Sequence, residues 1–450
     1  MGDGKIMIRV LLKGPVLSKS GYGEHSRFVY RSLKQKPDKF DVFVYPTEWG
    51  KSSWILNENP ETNQINLDIL RTRNLLESGA QNTVERPLFD VSLQVTIPNE
   101  FEFSARTNIG VTAGIETDRV SPEWIQKTNE TQGLIVVSHH AKNGFEKTTY
   151  DASKGEEKFT LKTTVPIDVV GYPVKKLEPS SEVNSLAFDT KFNFLSICQW
   201  GPRKNVTATL RGFIEEFMDD ADTGLILKTH RINNSLSDRW SLKADIDNVL
   251  AQYPNRKCKI YYLHGNMTEA ELHTLYTHSD IHAYVTTTHG EGYGLPIFEA
   301  AYSGLPVIAP SWSGHVDFLY MPRETKTKNK KNLREAMFEK VKYEIAQVAP
   351  EAVWETVINA DSQWCYVEPK SLKKSMRVVK QNYIAKKRKA EKLQKYLIEK
   401  YDCNKMYQKI QDSVVKLHEN NLSTIVANLN KNVTHHVVGS LATASVRKEK

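Results

Sequence analysis

The sequence has no long apolar stretch, few cysteines and no secretory-type beginning. No uninterrupted apolar segment reaches the ~20 residues that a membrane-spanning helix needs. The first residues, Met-Gly-Asp-Gly-Lys-Ile, lack the apolar core of a signal peptide. The four cysteines lie far apart and match no metal-ligand spacing, which is typical of reduced structural thiols. These absences argue against an integral membrane protein and a disulfide-stabilised secreted domain, so we expect a cytoplasmic protein.

Positive charge is in slight excess, and the length allows more than one domain. Lys and Arg outnumber Asp and Glu by 61 to 53, which gives a net charge of +8. Such a charge favours acidic partners, namely nucleotide phosphates, an anionic membrane surface or nucleic acid, without choosing among them. The lysine-rich stretch 370–395 is the candidate for a peripheral contact with an anionic surface. At 450 residues the chain is expected to hold about two or three domains.

The most informative segment is a glycine-rich loop between an apolar run and a helix-compatible run. The apolar run 281–285 leads to Gly290, Gly292 and Gly294, and Pro296 opens the next run. A strand, loop and helix in this order point free backbone N–H groups at an anion. Glu291 lies in the loop, and Glu299 follows eight residues later, one turn into the helix. These carboxylates suit a sugar hydroxyl and a ribose diol, and the alternative is an ordinary glycine-rich turn.

The segment 287–309 resembles the retaining nucleotide-sugar glycosyltransferases of the GT-B fold, family 4 type. Their Glu-x7-Glu element reads Glu-Gly-Phe-Gly-Leu-x-x-x-Glu-Ala followed by Gly-x-Pro-Val-Ile, and this chain departs from it in having Tyr293 for the phenylalanine. The resemblance is strongest over residues 192–319. It implies an α/β protein with two Rossmann-like parallel-sheet domains that face each other across a cleft, and a C-terminal helix that crosses back to the first domain.

Domain boundaries follow from the same resemblance. We expect an acceptor domain at 1–172 and a nucleotide-sugar domain at 173–400. The returning helix is expected at 401–418 and a flexible tail at 419–450. Four local predictions accompany these boundaries: a helix near 66–77, exposed loops at 151–160 and 324–334, and a basic helical stretch at 371–401.

The resemblance implies a donor site in the second domain. The family usually has Gly-Arg and then Lys-Gly after that domain's first strand; here Lys204 keeps the lysine position, and Arg203 is the candidate substitute for the arginine. Lys228, at the end of the next predicted strand, suits the same diphosphate. We predict catalytic roles for Lys204, Lys228 and Glu291. The alternative for Arg203 and Lys204 is two solvated basic residues, and the alternative for Lys228 is neutralisation of a neighbouring carboxylate. The predicted donor-binding residues are Gly21, Tyr22, Gly23, Arg203, Gly265, Asn266, Met267, Gly292, Tyr293, Gly294, Leu295 and Glu299.

Acceptor-side residues are predicted in the first domain, where ligands lie at the carboxyl ends of parallel strands. Glu116, Asp118 and His139 each follow a predicted strand. Capping of the helix that starts near Pro122 is the alternative role for Glu116 and Asp118. Ser138 is interpreted as a helix N-cap. The His-Asp pair that the family often has in this region is absent from this sequence.

The resemblance implies a UDP- or GDP-linked sugar as co-substrate and no required cofactor or metal. The Asp-x-Asp triplets at 220–222 and 245–247 lie in polar helical surroundings and are interpreted as solvated. The acceptor stays open among a saccharide, a lipid-linked molecule and a nucleic acid. The other functions considered are a glycosidase, which also needs two carboxylates, and a basic nucleic-acid-binding protein on a degenerate transferase fold.

Overall fold

The computed structural model describes residues 7–79, 82–83, 86–323 and 333–444, with the backbone alone for Lys154 and for 429–444. Most of the lysine-rich segment predicted to be exposed at 324–334 therefore lies outside the described residues. Within the described chain, no helix combines the length and the apolar content that a bilayer crossing requires.

The first lobe is a six-stranded parallel sheet with helices on its faces. Its strands run in the order β2-β1-β3-β4-β5-β8. The central strands β3, β4 and β5 are buried along their whole length, as expected for a parallel sheet covered on both faces. The elements of this lobe are β1 (Ile8–Gly14), α1 (Gly21–Lys34), β2 (Phe40–Pro46), α2 (Pro60–Glu77), β3 (Val91–Val95), β4 (Thr107–Thr112), α3 (Pro122–Asn129), β5 (Gly133–Val136), α4 (His139–Lys147), β6 (Tyr150–Lys154), β7 (Glu157–Leu161) and β8 (Ile167–Val169).

The second lobe repeats this architecture with the strand order β11-β10-β9-β12-β13-β16, again all parallel. Short strands and two long helices complete it. Its elements are α5 (Ser181–Asn184), β9 (Phe192–Gln199), α6 (Val206–Phe217), β10 (Thr223–His230), α7 (Leu236–Leu250), β11 (Lys259–Leu263), α8 (Glu269–Thr277), β12 (Ile281–Val285), α9 (Leu295–Tyr302), β13 (Val307–Pro310), α10 (Val316–Leu319), β14 (Tyr320–Pro322), β15 (Arg334–Ala336), β16 (Glu339–Val341), β17 (Tyr343–Gln347), β18 (Gln363–Val367), α11 (Pro369–Gln381) and α12 (Tyr383–Lys400).

A last helix, α13 (Cys403–Ala444), carries the chain back to the first lobe. The side-chain amide of Gln411 donates to the carbonyl of Ser32 on α1, and His418 Nδ1 lies 2.8 Å from Thr107 Oγ1 on β4. Leu417 packs directly against Gly133 on β5. The two lobes and the returning helix confirm the predicted fold class. The helix does not end at 418 as predicted, because its backbone continues to Ala444.

Two local predictions need correction, and a third is confirmed. Helix α2 begins at Pro60, six residues earlier than predicted, because Asn59 caps it reciprocally with Thr62. The segment 151–160 is not a loop: strands β6 and β7 form an exposed antiparallel hairpin that turns at Gly155. The basic stretch 371–401 is helical as predicted and consists of the two helices α11 and α12, which meet at Asn382.

Candidate active site

Three neighbouring strands of the second lobe bring the predicted donor residues together. Strand β9 pairs with β10 on one side and with β12 on the other. Their carboxyl ends lead to the loop that carries Arg203 and Lys204, to Lys228, and to the glycine-rich loop of Glu291. The strand order reverses between β9 and β12, and such a switch point is where open α/β sheets bind ligands.

Glu291 is the centre of a buried ion cluster. Its carboxylate accepts from Lys204 Nζ at 2.6 Å and from Arg203 Nη1 at 3.1 Å. Its backbone N–H donates to Ser313 Oγ at 2.9 Å, and Ser313 holds a positive φ of 78°. Burial alone would raise the pKa of Glu291, but the charges of Lys204 and Arg203 lower it to about 2. Glu291 is therefore ionised at every working pH and can only accept hydrogen bonds.

Lys228 is buried without an acidic partner. Its side chain is 6% exposed, and Nζ donates to the carbonyl of Gly265 at 2.7 Å. In the part of the chain that the structure describes, no carboxylate lies within ion-pair distance of this ammonium group. Burial lowers the pKa of Lys228 to about 8, so the group is still largely charged at pH 7. Burying a charge without a counter-ion costs free energy, and a bound anion would offset this cost.

Glu299 lies one turn into α9 and is partly buried. Its Oε2 accepts from the hydroxyl of Tyr276 at 2.9 Å. Burial raises the pKa of Glu299 to about 7, against the opposing influence of Lys175 and the Tyr276 hydrogen bond. The carboxyl group therefore changes its protonation state near neutral pH, unlike Glu291.

The loop after β11 lies beside Lys228. Gly265 has a positive φ of 113°, and its carbonyl receives the Lys228 hydrogen bond. The exposed Asn266 accepts from the side-chain amide of Asn234 at 3.2 Å, and Met267 packs against the hydrophobic core. The Gly265 carbonyl is thus the point where this loop contacts Lys228, whereas the Met267 side chain packs against the core.

The first lobe contributes the N-terminus of α1, capped by Ser20, whose Oγ accepts from Gly23 N at 3.0 Å. Gly21 is exposed and would leave an added Cβ without any neighbour within 4 Å. The hydroxyl of Tyr22 lies 2.8 Å from Thr112 Oγ1, and its ring stacks on Trp49 with the ring centroids 4.1 Å apart. Gly21 is thus the open position at this helix terminus.

We expect opposite stability effects from alanine at the two glycines of this helix start. A Cβ on Gly23 would lie 2.0 Å from the carbonyl oxygen of Ser18, so Gly23→Ala should lower the free energy of unfolding by about 2–4 kcal/mol. Gly21→Ala meets no neighbour and should leave stability unchanged or raise it by up to about 1 kcal/mol. Urea unfolding of both variants checks this, and equal midpoints would contradict it.

The acceptor-side residues lie where the two lobes meet. Glu116 Oε1 forms an ion pair with Arg203 Nη2 at 3.2 Å. Arg203 therefore bridges Glu116 of the first lobe and Glu291 of the second. Asp118 is held by the backbone of Gln363 through hydrogen bonds of 2.7 and 2.9 Å. His139 donates its backbone N–H to Asp317 at 2.8 Å while its imidazole stays largely exposed. None of the three caps helix α3, because Ser121 is the N-cap.

The glycine-rich loop touches the first lobe so closely that its glycines have no room for a side chain. A Cβ on Gly290 would lie 2.0 Å from the carbonyl oxygen of Glu116, and one on Gly292 would lie 2.3 Å from that of Ala113. Ser138 Oγ, the N-cap of α4 as predicted, also donates to the carbonyl of Gly292 at 2.6 Å. The glycines at 290 and 292 therefore allow two backbones to meet, a role that the sequence pattern alone did not reveal.

Not every predicted donor residue offers its side chain to the cleft. The ring of Tyr293 is 3% exposed and packs among Tyr172, Phe298 and Phe318. Gly294, at φ 92°, and Leu295 begin helix α9, where backbone N–H groups are free. In 292–295, the backbone and not the side chains is thus the part that can contact a ligand.

The acidic triplets and the basic helices are paired with each other or with neighbours. Asp222 pairs with Lys191 and Asp247 with Lys243, both at the surface. Five basic residues of α11 and α12 pair with carboxylates of the second lobe: Lys373 with Glu215, Arg377 with Glu216, Lys380 with Asp220, Lys386 with Glu339, and Lys389 with Glu335. Much of the positive charge at 370–395 is therefore neutralised by ion pairs that attach these helices to the second lobe.

Comparison with known proteins shows the fold. No protein-family model and no curated protein sequence matches the chain. Among solved structures, HepE from Anabaena, in complex with UDP and glucose, superposes with a TM-score of 0.58 at 12% identity, covering 91% of this chain and 100% of that one. Sucrose-phosphate synthase from Thermosynechococcus elongatus has a TM-score of 0.58 at 10% identity, and the match covers 92% of this chain and 100% of that one. A glycosyltransferase from Rickettsia africae has a TM-score of 0.55 at 12% identity, and the match covers 92% of this chain and 100% of that one.

These similarities extend over both lobes and over the whole length of the solved chains. The chain therefore has the GT-B fold, with two Rossmann-like domains facing each other and the candidate site at the carboxyl ends of both sheets.

Proposed function

We propose that this protein transfers a sugar from a nucleotide-diphosphate sugar to an acceptor hydroxyl with retention of anomeric configuration. The observation that carries this proposal is the buried Lys228, which has no acidic partner among the described residues and lies near the carboxyl end of β10, next to the strand that leads to Arg203 and Lys204. Three cations at adjacent strand ends suit a diphosphate, and a similar fold, HepE, was crystallised with UDP and glucose.

The roles follow from the chemistry of each group. Lys204, Lys228 and the loop N–H groups stabilise the departing diphosphate, on which negative charge grows as the bond from the anomeric carbon to the phosphate oxygen breaks. The acceptor oxygen attacks on the same face, and its proton passes to the departing phosphate oxygen. Glu291 accepts from a sugar hydroxyl, and Glu299 accepts from the ribose diol. Catalysis then consists of orientation and charge stabilisation.

Nucleic-acid binding through 370–395 has less support, because five basic residues of this stretch already pair with carboxylates. A glycosidase needs two carboxyl groups free to face one scissile bond, whereas Glu291 is held by Lys204 and Arg203, and Glu299, whose pKa is raised, is held by Tyr276. The transferase is therefore the function that we propose, with a saccharide as the acceptor.

The decisive experiment is a donor screen. We expect one UDP- or GDP-sugar at a hundredfold excess over its Kd to stabilise the protein by about 2.7 kcal/mol, visible as a rise in Tm, and ADP- and CDP-sugars to give less. Incubation of the stabilising donor with pooled saccharides should then yield a product whose anomeric proton coupling, measured by NMR, matches that of the donor. A protein stabilised by no nucleotide sugar would refute the proposal, and an inverted anomer would refute retention.

Donor affinity should depend on pH through Glu299. Its pKa is raised to about 7, so the carboxylate form needed to accept two diol hydrogen bonds is lost as the pH falls through 7. For Glu299 alone, affinity for UDP-glucose should fall about tenfold between pH 8 and pH 6; protonation of Lys228, whose pKa is lowered to about 8, should offset about twofold of this and leave a net fall of about fivefold. Glu299→Gln cannot ionise, so its affinity should be lower at pH 8 and should rise about twofold toward pH 6 as Lys228 becomes fully charged. Isothermal titration at five pH values checks both, and a flat wild-type profile would contradict the role.

Turnover should not require an added metal ion, because the protein supplies its own cations for the diphosphate. We expect activity after dialysis against EDTA to stay within about twofold of the untreated protein. A loss that Mg²⁺ or Mn²⁺ restores would contradict this part of the proposal.

A further inference from the structure

Arg203 is shared between two carboxylates from different lobes. Its Nη1 contacts Glu291 and the carbonyl of Gly290, while its Nη2 contacts Glu116. The Arg203 and Glu116 side chains are 28% and 25% exposed, so both can be reached from the cleft. Glu291 has a second cation, Lys204, whereas Glu116 has no ion-pair partner besides Arg203 within the described residues.

This arrangement makes Arg203 a group for which two anions compete. A donor diphosphate that binds Arg203 must share or displace its carboxylate partners. Glu291 keeps its 2.6 Å contact with Lys204 when that happens. Glu116 loses its cation, and its carboxylate then faces the cleft with unsatisfied acceptor positions.

On the basis of the proposed function, we propose that Glu116 is the carboxylate that orients the acceptor hydroxyl, and that donor binding releases it from Arg203. The surroundings of Glu116 fit a sugar ring. The backbone carbonyl oxygen of Glu116 and the ring of Trp312 both lie against Gly290, and the Trp312 ring meets His140 edge-on with the ring centroids 5.1 Å apart. An aromatic ring therefore lies near the main chain of Glu116, and a carboxylate and an aromatic ring in one neighbourhood can together contact a sugar. The donor therefore binds first, and the acceptor position is completed afterwards.

Because Glu116 competes with the donor, removing its charge should strengthen diphosphate binding. We expect Glu116→Gln to bind UDP and inorganic pyrophosphate about three- to tenfold more tightly than the wild type in isothermal titration. Combined with Arg203→Ala, the Glu116→Gln substitution should give no further change, because the competition needs the guanidinium group. Glu116→Gln should also raise the KM for the saccharide acceptor while leaving the KM for the donor equal or lower.

A matched control separates this competition from a general loss of negative charge. Glu100 also influences Tyr22 electrostatically, as Glu116 does, but its carboxylate bonds to Thr96 and not to Arg203. Glu100→Gln should therefore leave pyrophosphate affinity unchanged. Equal or weaker binding by Glu116→Gln, or the same gain in Glu100→Gln, would overturn the inference and leave the proposed function intact. Failure of the wild type to bind any nucleoside diphosphate would instead refute the proposed function itself.

Discussion

Replacing Lys228 with methionine should make the protein more stable and nearly inactive. Lys228 is 6% exposed, its ammonium group donates to the Gly265 carbonyl and has no other hydrogen-bond partner among the described residues, and burial lowers its pKa to about 8. Keeping this charge buried costs free energy in the empty protein, so Lys228→Met should raise the free energy of unfolding by about 1–3 kcal/mol. The same change removes a cation from the departing diphosphate, and kcat should fall about 10²–10³-fold.

The control for this experiment is Lys259→Met. Lys259 begins the neighbouring strand β11 at the opposite end of the same sheet and is exposed. Lys259→Met should change neither the free energy of unfolding nor turnover beyond experimental error. Chemical denaturation and initial rates at saturating donor separate the two effects. A Lys228→Met protein that keeps wild-type turnover, or that is strongly destabilised, would contradict the role of an anion-binding group.

Adding one methyl group at Gly292 should separate the lobes. The Cβ of alanine would lie 2.3 Å from the carbonyl oxygen of Ala113, and backbone cannot yield as a flexible side chain does. The glycine-rich loop and the end of β4 must therefore move apart by about 1 Å or more, which misplaces donor and acceptor. We expect Gly292→Ala to fold, to lose about 100-fold or more in kcat/KM, and to show a larger radius of gyration by small-angle X-ray scattering.

Gly144→Ala is the matched control for Gly292→Ala. Gly144 lies within α4, where an added Cβ meets Val120 and Ile115 at ordinary contact distances of 3.7 and 3.8 Å. Gly144→Ala should stabilise the protein slightly by reducing the conformational entropy of the unfolded chain, and it should leave the radius of gyration unchanged. Wild-type kinetics and an unchanged radius of gyration in Gly292→Ala would show that the two lobes do not need this contact.

The fold was predictable because its signals are local in sequence. Most of the parallel strands contain a short apolar run, several helix starts carry their own side-chain cap, and Thr268 and Glu271 form the capping box that the sequence indicates. The proximity of Lys204 to Glu291 was also predictable, because both follow neighbouring strands that end on the same edge of a sheet. The hairpin β6–β7 was missed because most of its residues are polar or charged and exposed, and only a few, such as Leu161, pack inward, so its apolar signal is weak.

Other features of the site depend on contacts between distant segments, which no local pattern encodes. The sequence marks Arg203 and Glu116 as separate candidates 87 residues apart, but only the folded chain shows that they pair. The same holds for Glu299, whose raised pKa results from burial beside Tyr276, and for Gly290 and Gly292, whose lack of a side chain serves the contact between lobes. The catalytic and binding roles of these residues stay predictions until the variants are measured.

The path of helix α13 has a consequence for how the chain is made. The first lobe contains residues that emerge early from the ribosome, yet Gln411 and Leu417, which pack on α1 and β5, are synthesised more than 230 residues after the last strand of that lobe. Until they arrive, the surface that they cover is open to water and to other nascent chains. Completion of the first lobe therefore waits for translation of the second, which ties the two folding events to a single late step.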